Sequence, residues 1–296
     1  MAKNILHMIT PLAHMSPFDV NMALDAGYDA TASYTHVSLD EVTGLVQDAM
    51  FSRSPRDAAR TGVFIGGKDA LLALDMLDAA GKALLKPFEI SLFADPSGSF
   101  TTAAAMIAIV EKTLLEKKGR ALRGAAVSVF GATGVVGTAS AVIAALEGAS
   151  VTLAGREGTE RTGRRAAEIN RRFGVNLAVA DGSTPGTKAA ILAATEVVLC
   201  AAKAGVRVLD AGEIAGAAKL LVAADVNAVP PSGIEGMDAH ASGAPLGERG
   251  ALGVGALAIG NVKYRTESGL FKQMTESKTP LRLDFRQAFE LARTLA

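Results

Sequence analysis

Residues 126–156 read AVSVFGATGVVGTASAVIAALEGASVTLAGR. Val127–Phe130 is a short β-branched and aromatic run, and Gly131, Gly134 and Gly137 follow it at three-residue spacing. Thr138–Leu146 has the small-residue composition of a buried helix, and Ser150–Ala154 is a second strand of the buried type. Strand, glycine turn, helix, strand is the order of a dinucleotide-binding βαβ unit. Its glycines let the backbone approach a pyrophosphate, and the helix N-terminus supplies unsatisfied N–H groups and the positive end of a dipole. The spacing is G-x-x-G-x-x-G rather than G-x-G-x-x-G, so the meaning comes from the strand before and the helix after. An ordinary βα turn that binds nothing would share these glycines. A membrane helix is a further alternative for the uncharged run 124–146, but the glycines and hydroxyl residues in its first half argue against it. The reading makes Gly131, Ala132, Thr133, Gly134, Val135, Val136 and Gly137 the cofactor-binding turn, and a nicotinamide dinucleotide implies hydride chemistry.

The residues after the second strand bear on the choice of dinucleotide. An NAD site places Asp or Glu there for the ribose hydroxyls, whereas an arginine accommodates a 2′-phosphate. Here the strand runs into Gly155 and Arg156. The planar guanidinium offers a fork to a phosphate, which favours NADP. Glu157 and Glu160 stand close in sequence and repel a phosphate, so NAD is expected to be accepted as well.

Composition sets the outer bounds. The 296 residues suffice for two domains of ordinary size. Lys plus Arg and Asp plus Glu both number 30, so no net field draws the chain to nucleic acid or an anionic membrane. The one cysteine, Cys200, allows no internal disulfide and fits a reducing compartment. The N-terminal apolar run is broken by His7 and Pro11 and lacks signal-peptide form, so a cytoplasmic location is expected.

Outward from the glycine turn the chain alternates strand and helix patterns. Before it come strands near 4–8, 29–34, 63–65 and 90–94, with helices near 19–26, 39–50, 69–85 and 100–117. Ser38 with Glu41 forms a capping box for the second of these helices. After it come strands near 176–179, 196–200 and 219–223, a helix over 160–172, and helical patterns over 258–277 and 284–295. The expectation is an α/β protein of two domains. One covers 1–120 and is completed by C-terminal helices over 265–296. The other, 121–264, is a Rossmann doubly wound parallel sheet. Two such domains would flank a cleft.

In such sheets the loops after the strand carboxyl ends carry the binding groups. One is Asp95-Pro96-Ser97-Gly98-Ser99-Phe100-Thr101-Thr102, polar and opening a helix that Ser99 or Thr101 would cap. A second contains Ala201, Ala202 and Lys203, small enough to let a nicotinamide ribose approach. A third begins at Asp225 and Asn227 and is stiffened by Pro230-Pro231. The fourth, GALGVGALAIG over 250–260, includes Leu257 and opens the helix that carries Lys263. The four histidines, His7, His14, His36 and His240, are scattered and no zinc pattern occurs, so no metal is expected.

These strings, with Ser16-Pro17-Phe18-Asp19-Val20 and Val63-Phe64-Ile65-Gly66-Gly67, give the chain a resemblance over nearly its full length to the NAD(P)-dependent methylene-tetrahydromethanopterin dehydrogenases of methylotrophic bacteria. It looks nearest to the form that accepts NAD or NADP. The NADP-specific form carries a lysine where this chain has Glu160. The resemblance implies an N-terminal domain like that of amino-acid dehydrogenases and a homo-oligomer, with a trimer favoured. It further implies oxidation of methylene-tetrahydromethanopterin to the methenyl form in formaldehyde oxidation. On this reading Lys263 is the polar group at the reaction centre. Phe18 lies on the pterin face, and Asp19 and Asp95 hydrogen-bond the pterin. Ser97, Gly98, Ser99 and Thr102 line the same pterin site. Gly155, Arg156, Ala201, Ala202, Lys203, Asp225, Asn227 and Leu257 complete the dinucleotide site. The methylene carbon sits between two nitrogens, so loss of hydride leaves a delocalised amidinium and removes no proton. Binding and water exclusion then suffice, which accounts for the lack of an evident acid–base pair. A methylene-tetrahydrofolate dehydrogenase, a shikimate- or amino-acid-type dehydrogenase and a non-catalytic NADP sensor are the alternatives at this point.

Overall fold

A computed structural model describes residues 2–296. The chain begins β1 (Ile5–Ile9), α1 (Pro17–Asp25), β2 (Ala30–Tyr34), α2 (Val42–Phe51), β3 (Thr61–Ile65), α3 (Ala70–Ala83), β4 (Ser91–Ala94) and α4 (Ser99–Lys118). It continues β5 (Ala126–Phe130), α5 (Val135–Leu146), β6 (Ser150–Gly155), α6 (Glu160–Phe173), β7 (Ala178–Asp181), α7 (Pro185–Leu192), β8 (Val197–Cys200), α8 (Ala211–Gly216) and β9 (Val222–Asp225). The last elements are β10 (Ser242–Leu246), β11 (Ala251–Val254), α9 (Ala256–Glu276), β12 (Arg282–Leu283) and α10 (Phe285–Leu295).

Two compact units result. One holds the chain up to Thr101 with Tyr264–Leu291, the other Thr102–Lys263 with Ala292–Ala296. The division falls inside α4 rather than near residue 120, because α4 is mostly core to the second unit. With its preceding turn, Pro96–Lys118 is long and apolar enough to cross a membrane, yet 78% of its most apolar stretch of 18 residues is buried inside the protein. The stretch 124–146, weighed above as a membrane helix, is a strand and a separate helix.

The first unit is built on a wholly parallel sheet in the order β12-β4-β3-β1-β2. Helices cover both faces, so β3 and β4 are buried along their whole length and read as continuous apolar runs. Phe64 on β3, Phe93 on β4 and Phe271 on α9 meet with ring centroids 5.2–5.4 Å apart. Each fully buried ring contributes roughly 1.5–3 kcal/mol. α3 starts where Asp69 accepts the N–H groups of Leu71 and Leu72 at 2.9 and 3.0 Å, an Asp cap of the expected kind.

The second unit's sheet has the order β10-β11-β9-β8-β5-β6-β7. All its pairings are parallel except β10 with β11 at the edge. Strand order 3-2-1-4-5-6 of the doubly wound dinucleotide fold is therefore present as β7-β6-β5-β8-β9-β11. The sequence reading placed β11 in a glycine-rich loop and missed β10 and β12. The hairpin carries little β-branched signal, and it exists because β11 pairs with β9.

Glu196 pins the start of this sheet. Its carboxylate takes Arg120 Nε and Nη2 at 3.0 Å each and the Ala126 N–H at 2.8 Å. The Arg120 guanidinium and then that amide hold the Glu196 carboxyl below its ordinary value. A lowered folded value means the stabilisation is full above the unfolded value of 4.5 and is lost as pH falls through the folded one. At pH 7 Glu196→Gln is expected to cost about 1 kcal/mol. The melting curves of variant and wild type should converge as pH drops below 4.5. A gap that persists there would show that the charge is not what Glu196 supplies.

Candidate active site

In the second unit the strand order reverses between β5 and β8, the position at which open α/β sheets bind ligands. A cavity of about 800 Å³ opens there, lined among others by Gly131, Thr133, Gly134, Arg156, Ala202 and Lys203. The glycines explain its shape. Gly131 has φ +78°, and a Cβ on it would stand 2.4 Å from the Ala201 carbonyl oxygen. Gly137 is as constrained, since its Cβ would lie 2.3 Å from the Gly131 carbonyl oxygen. Gly134 is the N-cap of α5 and brings no side-chain acceptor. The first N–H groups of α5 are thus left for an anion. Thr138, absent from the sequence reading as a site residue, donates its hydroxyl to the Ala132 carbonyl at 3.0 Å and ties the turn to the helix. α5 begins one turn earlier than expected, at Val135, so Val135, Val136 and Gly137 form its first turn.

Gly155 is not in the cavity lining. A Cβ on it would stand 2.0 Å from the Gly158 carbonyl oxygen, so it serves the tight turn that presents Arg156. Around that turn the cavity is bordered by Arg156, Glu157, Glu160, Arg161 and Arg164. Glu160 pairs with Arg164 one helical turn on, which tempers the positive field.

Of the expected cofactor residues, Ala132, Val135, Val136, Gly137, Gly155, Asp225, Asn227 and Leu257 are not in the cavity lining. Asp225 and Asn227 are absent from the cavity lining and form a support beneath it. Asp225 is buried, and its two oxygens accept the N–H groups of Asn227 and Ile234, both at 3.0 Å. Burial pushes its carboxyl upward, opposed by these amides and that of Gly233. Asn227 Oδ1 accepts the Gly205 and Val229 N–H groups at 3.2 and 2.9 Å, and Nδ2 donates to the Pro231 carbonyl at 2.9 Å. The pair holds the loop that follows Ala201–Lys203 through the Gly205 N–H and braces its own loop through Val229, Pro231 and Ile234. Leu257 is 46% exposed in the first turn of α9 and is likewise no part of this lining. Conversely, Ser183, Lys188 and Val206–Val208 line the cavity without having been singled out. Ser183 follows a strand carboxyl end, so the rule of strand ends could have found it. Cys200 is buried beside Asp225, and burial raises its thiol well above its ordinary range.

The expected pterin residues fall in both units: Phe18, Asp19, Asp95, Ser97, Gly98 and Ser99 in the first, Thr102 and Lys263 in the second. Asp95 is fully buried. Its Oδ1 accepts the Phe100 N–H at 2.7 Å, and its Oδ2 accepts the Thr101 hydroxyl at 2.6 Å. Asp95 is therefore the cap of α4, a role expected of Ser99 or Thr101, and its carboxylate faces the backbone. Ser99 is buried, as is Gly98, whose φ is +62°. Ser97 is exposed and Thr102 half-buried. Asp19 is buried on α1, and its N–H caps onto Ser16 Oγ at 3.4 Å. Phe18 is 46% exposed and meets Tyr264 edge-on, with centroids 6.4 Å apart. Lys263 is half-buried on α9. Among the described residues no group of His, Cys, Asp or Glu side chains could hold a metal ion.

Comparison with known proteins fits this geometry. Residues 17–97 match the family described as methylene-tetrahydromethanopterin dehydrogenase, N-terminal. The whole chain is 51% identical to the NAD(P)-dependent methylenetetrahydromethanopterin dehydrogenase of Methylorubrum extorquens, over 100% of both chains. It is 31% identical, again over 100% of both, to the bifunctional protein MdtA of the same organism. Among solved structures, ornithine carbamoyltransferase from Pyrococcus furiosus aligns with a TM-score of 0.55 at 12% identity, covering 93% of this chain and 86% of that one. Shikimate 5-dehydrogenase from Listeria monocytogenes, solved with shikimate and NAD, aligns with a TM-score of 0.51 at 14% identity, covering 98% and 96%. At such identities these two establish the two-domain α/β architecture alone.

Proposed function

The chain belongs to the methylenetetrahydromethanopterin dehydrogenase family, and on that premise we propose that it oxidises methylene-tetrahydromethanopterin to the methenyl form with NADP or NAD as acceptor. The observation that carries the reading is a glycine-lined cavity at the sheet's order reversal, in a chain 51% identical to an enzyme named for that reaction. The residues present suit a dinucleotide: Gly131 lets the turn close against the Ala201–Ala202 backbone, Gly137 lets α5 pack tightly on that turn, and Gly134 between them leaves backbone without a side chain where a pyrophosphate would approach. Gly131–Gly137 would hold the pyrophosphate, Arg156 the 2′-phosphate of NADP, and the Ala201–Lys203 loop the nicotinamide side. When bound, the dinucleotide supplies the hydride acceptor.

The chain's own task is then to bind, orient and exclude water, because the reaction releases no proton. Phe18, exposed and already held edge-on by Tyr264, offers an apolar face for a pterin ring. The Asp95 cap holds the Ser97–Thr102 turn rigid. The protein is further proposed to be cytoplasmic and a homo-oligomer, with exposed Leu115 (61%) and Phe51 (53%) among the side chains an assembly could cover.

The test is reduction of NADP or NAD by methylene-tetrahydromethanopterin, followed at the reduced-nicotinamide band, beside methylene-tetrahydrofolate. Turnover with the methanopterin substrate supports the reading, and turnover with folate alone moves the chain to the rival substrate. In the same assay Arg156→Gln is expected to raise KM for NADP about 10- to 100-fold while altering that for NAD by less than about threefold. Equal effects on both would remove Arg156 from the 2′-phosphate site.

A further inference from the structure

The cavity of the second unit has two unlike walls. One carries Arg156, Arg161 and Arg164, and the other carries Val206 and Val208, both half-buried. Arg156 follows the end of β6 and Ser183 comes just after β7, so these residues share one side of the order reversal. Val206 and Val208 belong to the irregular segment between β8 and α8, on the other side of it. Lys188, near the start of α7, joins the two sides at the cavity that it also lines. Its ammonium donates to the Val208 carbonyl at 2.6 Å and pairs with Glu213 Oε1 of α8 at 3.2 Å. Glu213 is itself held: its side chain is 10% exposed, and its other oxygen accepts the Asp210 N–H at 2.9 Å in the capping box of α8. The rear of the segment is fixed independently. The Gly233 carbonyl accepts the Val208 and Leu209 N–H groups at 2.8 and 3.0 Å, and Asn227 accepts the Gly205 N–H at 3.2 Å. Lys188 therefore sets the edge that faces the cavity.

We propose that Lys188 is a positioning residue that sets Val206 and Val208 as the apolar seat of the adenine ring. This rests on the reading of the cavity as a dinucleotide site. With the pyrophosphate on the glycine turn and the 2′-phosphate at Arg156, the ribose that bears that phosphate lies on the β6–β7 side. The adenine is joined to the same ribose and lies on that side too. A flat, largely apolar ring is best received by an uncharged wall, which the side of Arg156, Arg161 and Arg164 does not offer. Val206 and Val208 offer it, because Lys188 ties their segment to α7. Val208 also packs on the core of the unit, so the seat has a firm backing. NAD and NADP carry the same adenine. Lys188 thus has a signature different from that of Arg156, which meets the 2′-phosphate alone.

The experiment compares wild type, Lys188→Met, Lys188→Arg and Val206→Ser. It measures NADPH and NADH binding by fluorescence, their displacement by 5′-AMP and by nicotinamide mononucleotide, and kcat at saturating substrates. Lys188→Met is expected to weaken NADPH, NADH and 5′-AMP alike by about 10-fold, as a seat held in place becomes one that binding must order. Affinity for nicotinamide mononucleotide and kcat should stay within about twofold of wild type, and Lys188→Arg should regain part of the loss. Val206→Ser leaves the Lys188 ion pair intact and should show the same pattern at about 3- to 10-fold, so it decides the seat even where Lys188→Met does not fold. An unchanged 5′-AMP affinity in either variant, a loss confined to NADPH, or a fall in thermal stability with binding intact would each overturn the assignment. If wild type binds both dinucleotides but turns over no pterin, the reaction reading fails, and the 5′-AMP ratio still decides Lys188. Wild type that binds neither dinucleotide overturns both.

Discussion

Gly137→Ala is expected to weaken NADPH binding by at least about 100-fold and to destabilise the protein by roughly 2–3 kcal/mol. The added Cβ would stand 2.3 Å from the Gly131 oxygen, 2.8 Å from its carbonyl carbon and 2.9 Å from Ala132 Cα. All three are backbone atoms, so no side chain can rotate to relieve the clash. Nor can the turn withdraw, because Gly131 is itself pressed against the Ala201–Ala202 backbone. The remaining escape is for α5 to move off its strand. That carries the helix N-terminus, with its open N–H groups, away from the phosphate position. A control comes from Gly163 in α6, where a Cβ would meet nothing within 4 Å. Gly163→Ala should leave binding unchanged and add up to about 1 kcal/mol of stability through helix propensity. Fluorescence titration with NADPH and thermal melts of both variants check this. Wild-type affinity in Gly137→Ala would mean that the dinucleotide does not use this turn.

The same glycines show what a sequence can disclose. Gly131, Gly134 and Gly137 were legible because each answers a physical demand of the βαβ turn, and the strand and helix around them confirm the context. The helix start was misplaced by one turn, since Val135-Val136-Gly137 is a poor local helix former and is held helical by packing against the sheet. Asp95 and Asp225 were legible as polar residues at strand ends, yet sequence does not say where a carboxylate points. In the fold both turn inward onto backbone N–H groups, so they build the loops that carry the site. Ser183 and Val208 reach the cavity from loops and Lys188 from α7, all distant in sequence from the glycine turn, and only strand order brings them together. The β10–β11 hairpin lacked any β-rich signature and depends on β9 for its pairing. The substrate class was legible through resemblance alone, since no spacing of polar residues distinguishes a pterin from another planar ring.

Lys263→Ala is expected to lower kcat about 100-fold, near 2.7 kcal/mol in the barrier, with NADPH affinity unchanged. On α9 the residues Ile259, Val262 and Thr266 are buried and Gly260 and Tyr264 exposed. Lys263 stands between these faces, on the shoulder of the buried stripe. A lysine in that setting has a restricted reach and suits one fixed hydrogen bond better than a solvated charge. The reaction gives it nothing to deprotonate, because hydride loss from a carbon between two nitrogens ends at a closed-shell amidinium. A contribution of Lys263 to the reaction would then be orientation, felt in the hydride step itself. Two consequences separate this from proton transfer and from structural support. The kcat of wild type should show no titration step between about pH 6 and 9, where a general acid or base would have to titrate. The methylene-deuterated substrate should show a larger isotope effect on kcat in Lys263→Ala than in wild type, as hydride transfer becomes the slow step. Lys263→Arg should keep part of the rate, since a donor remains. Near-full activity in Lys263→Ala, or a loss confined to the dinucleotide KM, would take Lys263 out of the reaction centre and leave substrate orientation to the residues of the first unit.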